Sequence, residues 1–304
     1  MKKEIFVLLL AAVILTLSGC KRDDYDAACA LQDAQNYAEA AAAFESLGNY
    51  EDAAQRAETC REWADSIAAF DAASTSLTEE NAKLDAAIQR AEAAIDANKP
   101  AMDSNLYQPV KDTVAKAKDA RVTVPDRPDE LDDMQDLTAQ METADYTGLV
   151  EAITDACNDL DESIQQYALV DAPDNARVLA CLAKVPEILL TVEVTEETDG
   201  NNMLGKDGSY IGRIIFAASS VSEKVLTEKQ LLSDGVDAGG TIEIFATRDD
   251  AEKRDMYLGL FDGSLLASGS HTVVGTVLVR TSNDLSASKQ AALESAIIEA
   301  LLSP

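Results

Sequence analysis

His271 is the only histidine of the chain, and it directly follows Ser270. A serine with a histidine as its general base is the arrangement from which a hydrolase builds a nucleophile. Adjacent residues of a strand point to opposite faces, however, so Ser270 cannot hydrogen-bond His271 at the entrance to the strand predicted around Val273. The G-x-S-x-G pattern of a nucleophile elbow is also absent. We therefore predict a turn histidine and no catalytic residue.

The sequence offers no clear set of metal or cofactor ligands. One histidine without C-x-x-C spacing does not make a zinc site, and no phosphate-binding glycine loop is expected. An acidic run could supply oxygens to Ca²⁺, but it lacks EF-hand spacing, and on a helix its carboxylates would spread around the surface. The run consists of Asp126, Asp129, Glu130, Asp132, Asp133 and Asp136. We predict a solvated acidic face, no metal and no cofactor.

The N-terminal residues have the pattern of a secretion signal. Lys2 and Lys3 precede an apolar stretch, residues 5–17, whose length suits a signal-peptide core better than a bilayer span. The following residues, Leu17, Ser18, Gly19 and Cys20, resemble the lipobox of bacterial lipoproteins. This resemblance implies cleavage after residue 19, a diacylglycerol thioether on Cys20, and a protein held on the outer face of the cell membrane by residues 20–24.

Four further cysteines leave two interpretations open. An extracytoplasmic location permits disulfides, and four cysteines allow three pairings. Cys29 and Cys60 are predicted on neighbouring helices, so a bridge between them is feasible, while Cys157 and Cys181 flank a predicted domain boundary that a bridge could clip. The alternative is that all four act as small buried apolar residues.

The composition describes a folded and strongly acidic protein. The 304 residues include 55 acidic and 25 basic ones, for a formal charge of −30. Such a surface repels phosphate backbones, which argues against a nucleic-acid partner. The apolar fraction of 47% and the 7 prolines do not fit a disordered acidic tail, and the length allows two or three domains.

Residues 25–66 are predicted to form a helical hairpin. Apolar residues recur three and four positions apart, and Gly48 stands where one helix should end and the next begin. Tyr37, Ala40 and Phe44 resemble the tetratricopeptide helix-turn-helix. The resemblance covers little more than one repeat, and a solenoid normally needs three, so we expect a short hairpin rather than a full peptide groove.

Residues 77–170 are predicted to form an antiparallel helical bundle, interrupted at Pro100 and again at Pro125 and Pro128. Residues 84–88 (Leu-Asp-Ala-Ala-Ile) and 160–164 (Leu-Asp-Glu-Ser-Ile) resemble the helical FIVAR-type module of Gram-positive surface proteins, including extracellular matrix-binding proteins. The resemblance implies a protein-binding or adhesive role. The tryptophan expected in the middle helix of that module is missing.

Residues 171–304 alternate between helix and strand signals and are predicted to form an α+β domain with an antiparallel sheet. The pattern predicts helices over 174–189, 249–261 and from 287 onward, and strands over 191–194, 210–217, 241–246 and 273–279. The aromatic residues Phe216, Phe245, Tyr257 and Phe261 are expected in the core. We expect a partner, if one binds here, at the glycine-rich loops 198–208 and 233–240. The predicted fold is thus an all-α N-terminal part followed by an α+β domain.

These observations favour a non-enzymatic, lipid-anchored binding, adhesion or scaffold module, displayed outside the cell toward a protein or cell-wall ligand. One alternative is an accessory subunit of a membrane envelope complex that docks through residues 25–66. A remote alternative is a carboxylate-based hydrolase, although nothing marks one pair of the 55 acidic residues over another.

Overall fold

The structure, a computed structural model, describes residues 20–221, 227–263 and 269–304. The predicted signal segment 1–19 lies outside these residues. The chain divides into two compact units: the first contains residues up to 85 together with 120–148, and the second contains 86–119 together with 149–304. Within the described ranges, every helix is too short or too polar to cross a bilayer.

The first unit is helical, and the core around its first two helices is rich in alanine. It contains α1 (Lys21–Asp33), α2 (Tyr37–Leu47), most of α3 (Ala53–Ala97) and α5 (Leu131–Glu142). Phe44 is fully buried in this core, and Gly48 ends α2 with a φ of +62°, as predicted. The guanidinium of Arg56 bonds Asp52 at 3.0 Å and Gln32 at 2.9 Å, which ties the start of α3 to α1.

The helix α3 is much longer than the sequence analysis predicts. It runs unbroken for 45 residues, through the interval 67–76 that separates the predicted hairpin from the predicted bundle. The physical reason is that residues 53–97 contain neither glycine nor proline and are rich in alanine, so nothing stops the helix. It ends at Ala97, just before Lys99 and Pro100, where a break is predicted.

The helices of the second unit that precede the sheet bury apolar residues, and charged side chains link them at the surface. They are α4 (Tyr107–Ala120) and α6 (Thr147–Leu169), together with the last turns of α3. Arg90 on α3 bonds Asp161 on α6 at 2.9 Å, and Lys118 on α4 bonds Glu92 at 2.5 Å. These pairs are half-exposed, so each contributes little stability.

The described part of residues 171–304 forms an antiparallel sheet of five strands in the order β1-β2-β3-β5-β4. The strands are β1 (Ile188–Glu193), β2 (Tyr210–Ala218), β3 (Gly239–Phe245), β4 (His271–Val274) and β5 (Val277–Thr281). The helices are α7 (Asn175–Leu182), α8 (Glu228–Asp234), α9 (Arg248–Gly259) and α10 (Ala287–Leu302). The predicted fold class, an all-α part followed by an α+β domain, is confirmed.

Both faces of the sheet are covered. On one face, Ile214, Phe216 and Ile242 belong to an apolar core that includes residues of α7 and α10. The opposite face carries two smaller apolar clusters, one with Leu231 of α8 and one with Leu258 of α9. Every residue of β3 is buried, so residues 241–245 of the predicted half-buried strand 241–246 lie in a strand buried on both faces, and Ala246 lies beyond its end.

Two predicted elements of this domain are wrong. The helix predicted through Leu189 ends at Leu182, four residues before Pro186, and Leu189 lies in β1. The single strand predicted over 273–279 is a hairpin, because Gly275 turns the chain with a φ of +61° between β4 and β5. A continuous run of apolar β-branched residues concealed the turn at this one glycine.

Candidate functional site

Cys20, the predicted lipidation residue, is exposed and directly precedes α1. Its carbonyl oxygen accepts hydrogen bonds from the backbone N–H groups of Asp23 at 2.8 Å and Asp24 at 3.3 Å. The helix therefore begins at the residue after the cysteine. Leu17, Ser18 and Gly19 lie outside the described residues.

The other four cysteines are free thiols in the structure. Cys60 is buried in the core of the first unit, and the half-buried Cys29 packs against that core. Cys157 and Cys181 are also buried, and burial raises the pKa of the Cys60 and Cys157 thiols. Of the two interpretations left open by the sequence, the possible disulfides are not formed here, and three of the four cysteines occupy the place of small apolar side chains.

The prediction that Ser270 and His271 point to opposite faces is confirmed. The Ser270 hydroxyl donates to Glu294 of α10 at 2.8 Å, whereas His271 Nδ1 lies 2.6 Å from Asp255 of α9. The two helices cover different faces of the sheet, so this serine and histidine do not form a nucleophile and base. Within the described ranges, no group of three or more His, Cys, Asp or Glu residues is placed to hold a metal ion, the acidic run 126–136 included.

The most site-like feature is a cleft of about 410 Å³ beside α9, a size within the range of small-ligand sites. One wall is a single face of α9, because its residues are spaced at i, i+3, i+4 and i+7. The other wall is the end of the loop before β2. The lining residues are Asp250, Lys253, Arg254 and Tyr257 of α9, and Met203, Gly208 and Ser209 of the loop. The loop 198–208, predicted as a partner-binding loop, thus contributes to the cleft.

The carboxylate of Asp199 holds this loop in shape. It accepts hydrogen bonds from the backbone N–H groups of Met203 at 2.7 Å and Leu204 at 2.9 Å, and from the Tyr210 hydroxyl at 2.8 Å. Arg213 adds an ion pair at 3.0 Å. Burial acts to raise the pKa of Asp199, but these hydrogen bonds outweigh it and lower the pKa to about 2. Asp199 is therefore ionised at every physiological pH.

The same loop contains a glycine and lysine spacing that the sequence analysis does not recognise. Residues 200–206 read G-N-N-M-L-G-K, which follows the first seven positions of a phosphate-binding loop. Asp207 stands where that motif requires serine or threonine. The loop joins two antiparallel strands instead of a strand and a helix, and three of its backbone N–H groups are already bonded to the Asp199 carboxylate. The spacing is not a phosphate site.

Behind the cleft lies a buried network of charges on the sheet. Glu243 of β3 is fully buried and accepts bonds from Arg254 Nε at 2.9 Å and Arg280 Nη1 at 2.8 Å. Burial opposes ionisation of Glu243, but the two guanidinium groups outweigh it and lower its pKa. Arg254 is thus fixed from behind by a carboxylate while it lines the cleft in front.

Two lining residues have unusual surroundings. Tyr257 is 52% exposed, so its predicted place in the core is wrong. Its ring meets Phe261 edge-on with ring centroids 5.2 Å apart, and the guanidinium carbon of Arg254 lies 5.6 Å from the centroid of the Tyr257 ring. Ser209 is 6% exposed, and its hydroxyl has no hydrogen-bond partner among the described residues. Buried polar groups without partners are uncommon, and a functional role is one of the explanations for them.

The second predicted partner loop, 233–240, is not a free loop. Residues 235–238 form a short 3-10 helix, and Gly239 and Gly240 are buried in β3. A Cβ atom at Gly240 would lie 2.3 Å from the Phe216 ring, so this glycine is required for close packing.

The sequence analysis does not predict the buried network around Glu243, because the pattern of the strands that carry it is typical of apolar or half-buried strands. The available signal was an arginine within the apolar strand 210–217 and a glutamate in the next strand, which are cross-strand neighbours as Arg213 and Glu243.

Comparison of the chain with protein-family models, with curated proteins and with solved structures finds no match.

Proposed function

We propose that this chain is a lipid-anchored extracytoplasmic protein that binds a ligand without transforming it. A lipid on Cys20 holds it at the outer face of the cell membrane, and the cleft beside α9 is the binding site. The location rests on the lipobox resemblance of residues 17–20. The binding role rests on the cleft. The main observation in its support is that the charged side chains lining the cleft already have partners of opposite charge.

The cleft combines an exposed aromatic ring with charges that already have partners. Arg254 is paired with Glu243, and Lys253 is paired with Asp250 at 3.4 Å. A reaction centre usually contains a group poised to give or take a proton near neutral pH. The Ser209 hydroxyl instead has no base within hydrogen-bond distance among the described residues. These features support recognition rather than chemistry.

The anchoring part of the proposal is tested at Cys20. The full chain is expressed in a Gram-positive bacterium, and the N-terminal peptide of the membrane-extracted protein is analysed by mass spectrometry. We expect the peptide to begin at Cys20 and to carry the mass of a diacylglycerol group. Cys20→Ala should leave residues 1–19 attached, while the matched control Cys29→Ala should be processed normally. A wild-type peptide that begins at residue 1 and carries no lipid contradicts the proposal.

The binding part is tested with a photoreactive amino acid placed at Tyr257. Intact cells are irradiated, and the material joined to the protein is identified. We expect a discrete adduct that is absent when the same amino acid is placed at Leu189, which is comparably exposed on β1. Equal labelling from the two positions contradicts a binding role for the cleft.

A second candidate is an accessory subunit that docks on an integral membrane protein through residues 25–66. One observation favours it: Tyr37 stacks on Trp63, with ring centroids 5.1 Å apart, beside a groove of about 280 Å³ that Ala64 and Ile67 also line. Trp63→Ala should then release a membrane-protein partner without affecting crosslinks from position 257. Retention of that partner by Trp63→Ala contradicts docking at this groove.

A further inference from the structure

The cleft beside α9 offers one fixed ring face, a thioether and a buried hydroxyl, with balanced charge around them. From this combination we infer that the cleft binds a neutral saccharide, one or two sugar units of a glycan. The inference deepens the proposed binding role of the cleft and rests on it. A sugar ring presents a face of C–H groups and a rim of hydroxyls, so it needs an apolar platform and nearby hydrogen-bonding groups.

Tyr257 provides the platform. Its ring is fixed in orientation because Arg254 lies against it at 5.6 Å and Phe261 meets it edge-on, yet about half of the residue remains exposed. A tyrosine held in this way offers contact area at low entropic cost, because it does not have to be ordered when the ligand arrives. Met203 on the facing loop supplies a second apolar contact that can adapt to the ligand.

The charges around the cleft favour a neutral ligand. Lys253 is shared between Asp249 at 2.5 Å and Asp250 at 3.4 Å, and Arg254 is held by Glu243. An anionic ligand would have to compete with these carboxylates and with the −30 charge of the chain, while a cationic ligand would meet Lys253 and Arg254. Hydroxyl groups can bond to either partner of an existing ion pair without displacing it.

Ser209 discriminates between a saccharide and a purely apolar ligand. Its hydroxyl, which has no partner in the part of the chain that the structure describes, can both donate and accept, and rotation about one side-chain torsion changes its direction. A ligand hydroxyl or acetamido group that reaches it gains a hydrogen bond that the free protein lacks, whereas an aliphatic side chain leaves it unpaired.

The test uses the full chain extracted from membranes in detergent. The probes are β-1,4-linked oligomers of N-acetylglucosamine and of glucose, two to four units long, and binding is measured by saturation-transfer NMR and titration calorimetry. We expect saturation to reach the ring protons of at least one series. Tyr257→Ala should weaken its binding about tenfold or more, the loss expected for an aromatic contact at the centre of a site.

Two further variants test whether binding occurs in the cleft. Met256→Ala removes a more exposed neighbour of Tyr257 that does not line the cleft, and it should bind as the wild type does. Ser209→Ala should bind several-fold more weakly while its thermal stability is unchanged or increased, because it removes an unpaired hydroxyl. Absence of saturation transfer to both sugar series overturns the inference, as does equal weakening by Tyr257→Ala and Met256→Ala.

A blocked peptide with the sequence Ala-Tyr-Asn-Ala distinguishes the main competing ligand class. If it binds in a Tyr257-dependent manner and neither sugar series does, the cleft recognises peptides and the saccharide assignment is wrong. The mass-spectrometric test of the lipid on Cys20 does not depend on the outcome of these binding experiments.

Discussion

Two buried carboxylates, Asp199 and Glu243, determine the local structure around the cleft. Asp199 closes the loop that forms one wall, and Glu243 fixes the arginine that lies on the other. Both side chains are essentially inaccessible to solvent. A buried charge is tolerated only when its partners are in place. Each of these carboxylates therefore holds its neighbouring donors in one arrangement, because any other arrangement would leave the charge unpaired.

Loss of the Glu243 charge should strongly destabilise the α+β domain. Glu243→Gln leaves Arg254 and Arg280 without their buried counter-charge, and we expect a loss of about 3 kcal/mol in the free energy of unfolding. Chemical denaturation followed by circular dichroism measures this loss. The matched control is Glu252→Gln on α9, whose pair with Arg248 is half-exposed and should change stability by less than about 0.5 kcal/mol. Similar effects of the two variants would show that the buried pairs are not stabilising.

The Asp199 carboxylate should make stability depend on pH in the acid range. Its folded-state pKa of about 2 lies below the ordinary value of 3.8, so its contribution is complete above about pH 4 and is lost as the pH falls through 2. Asp199→Asn should lower the unfolding free energy by about 2 kcal/mol at pH 7, as for hydrogen bonds to a charged group. The difference from wild type should shrink between pH 4 and pH 2. A difference that stays constant over this range contradicts the assigned role.

The secondary-structure elements were predictable where local signals decide them. Gly48 and Pro100 correctly mark helix ends, and the α+β class of residues 171–304 could be predicted from their glycines, their β-branched residues and their alternating helix and strand signals. Three features were not predicted, and only the last of them depends on contacts distant in sequence. The length of α3 across 67–76 follows from an absence of breakers, the β4–β5 turn depends on one glycine, and burial of β3 on both faces requires α9 to cover it.

The candidate site was predictable only in part, for a related reason. The loop 198–208 could be found from its glycine and asparagine content, and it does line the cleft. The α9 face could not, because spacing alone does not say whether a tyrosine at a helical position faces the core or solvent. Tyr257 lies outside the core because Ala251 and Leu258 already occupy the buried side of the helix.

At the level of elements, the β4–β5 turn should be intolerant of a side chain. A Cβ atom at Gly275 would lie 2.5 Å from a methyl carbon of Val170 and 2.7 Å from its carbonyl oxygen, in addition to the strain of a φ of +61°. We expect Gly275→Ala to cost about 2 kcal/mol or more in unfolding free energy. Gly263→Ala isolates the strain, since Gly263 has a φ of +71° and no atom of the described residues within 4 Å of a Cβ placed there, and it should cost about 1 kcal/mol. Thermal and chemical denaturation measure both losses. If the two variants lose the same unfolding free energy, the steric contact with Val170 is ruled out.

The whole molecule carries far more negative than positive charge, and this should make its stability depend on salt. Self-repulsion at a charge of −30 favours expansion, while the exposed ion pairs such as Arg90–Asp161 contribute little each. We expect the thermal midpoint to rise by a few degrees between about 10 mM and 200 mM NaCl, over which the Debye length falls from about 30 Å to below 10 Å. Potassium chloride should give the same increase. A midpoint that falls with salt would mean that attractive pairs outweigh the repulsion.

The first helix begins immediately after Cys20, whose carbonyl is already hydrogen-bonded into it. If Cys20 carries the proposed lipid, the chain has no slack between its anchor and its folded part. The surface of α1 and α2 would then remain within a thin layer above the bilayer and move only laterally. Confinement of this kind raises the effective concentration of any partner embedded in the same membrane, so even a contact of low intrinsic affinity would be occupied. A partner dissolved in the medium would gain no such advantage.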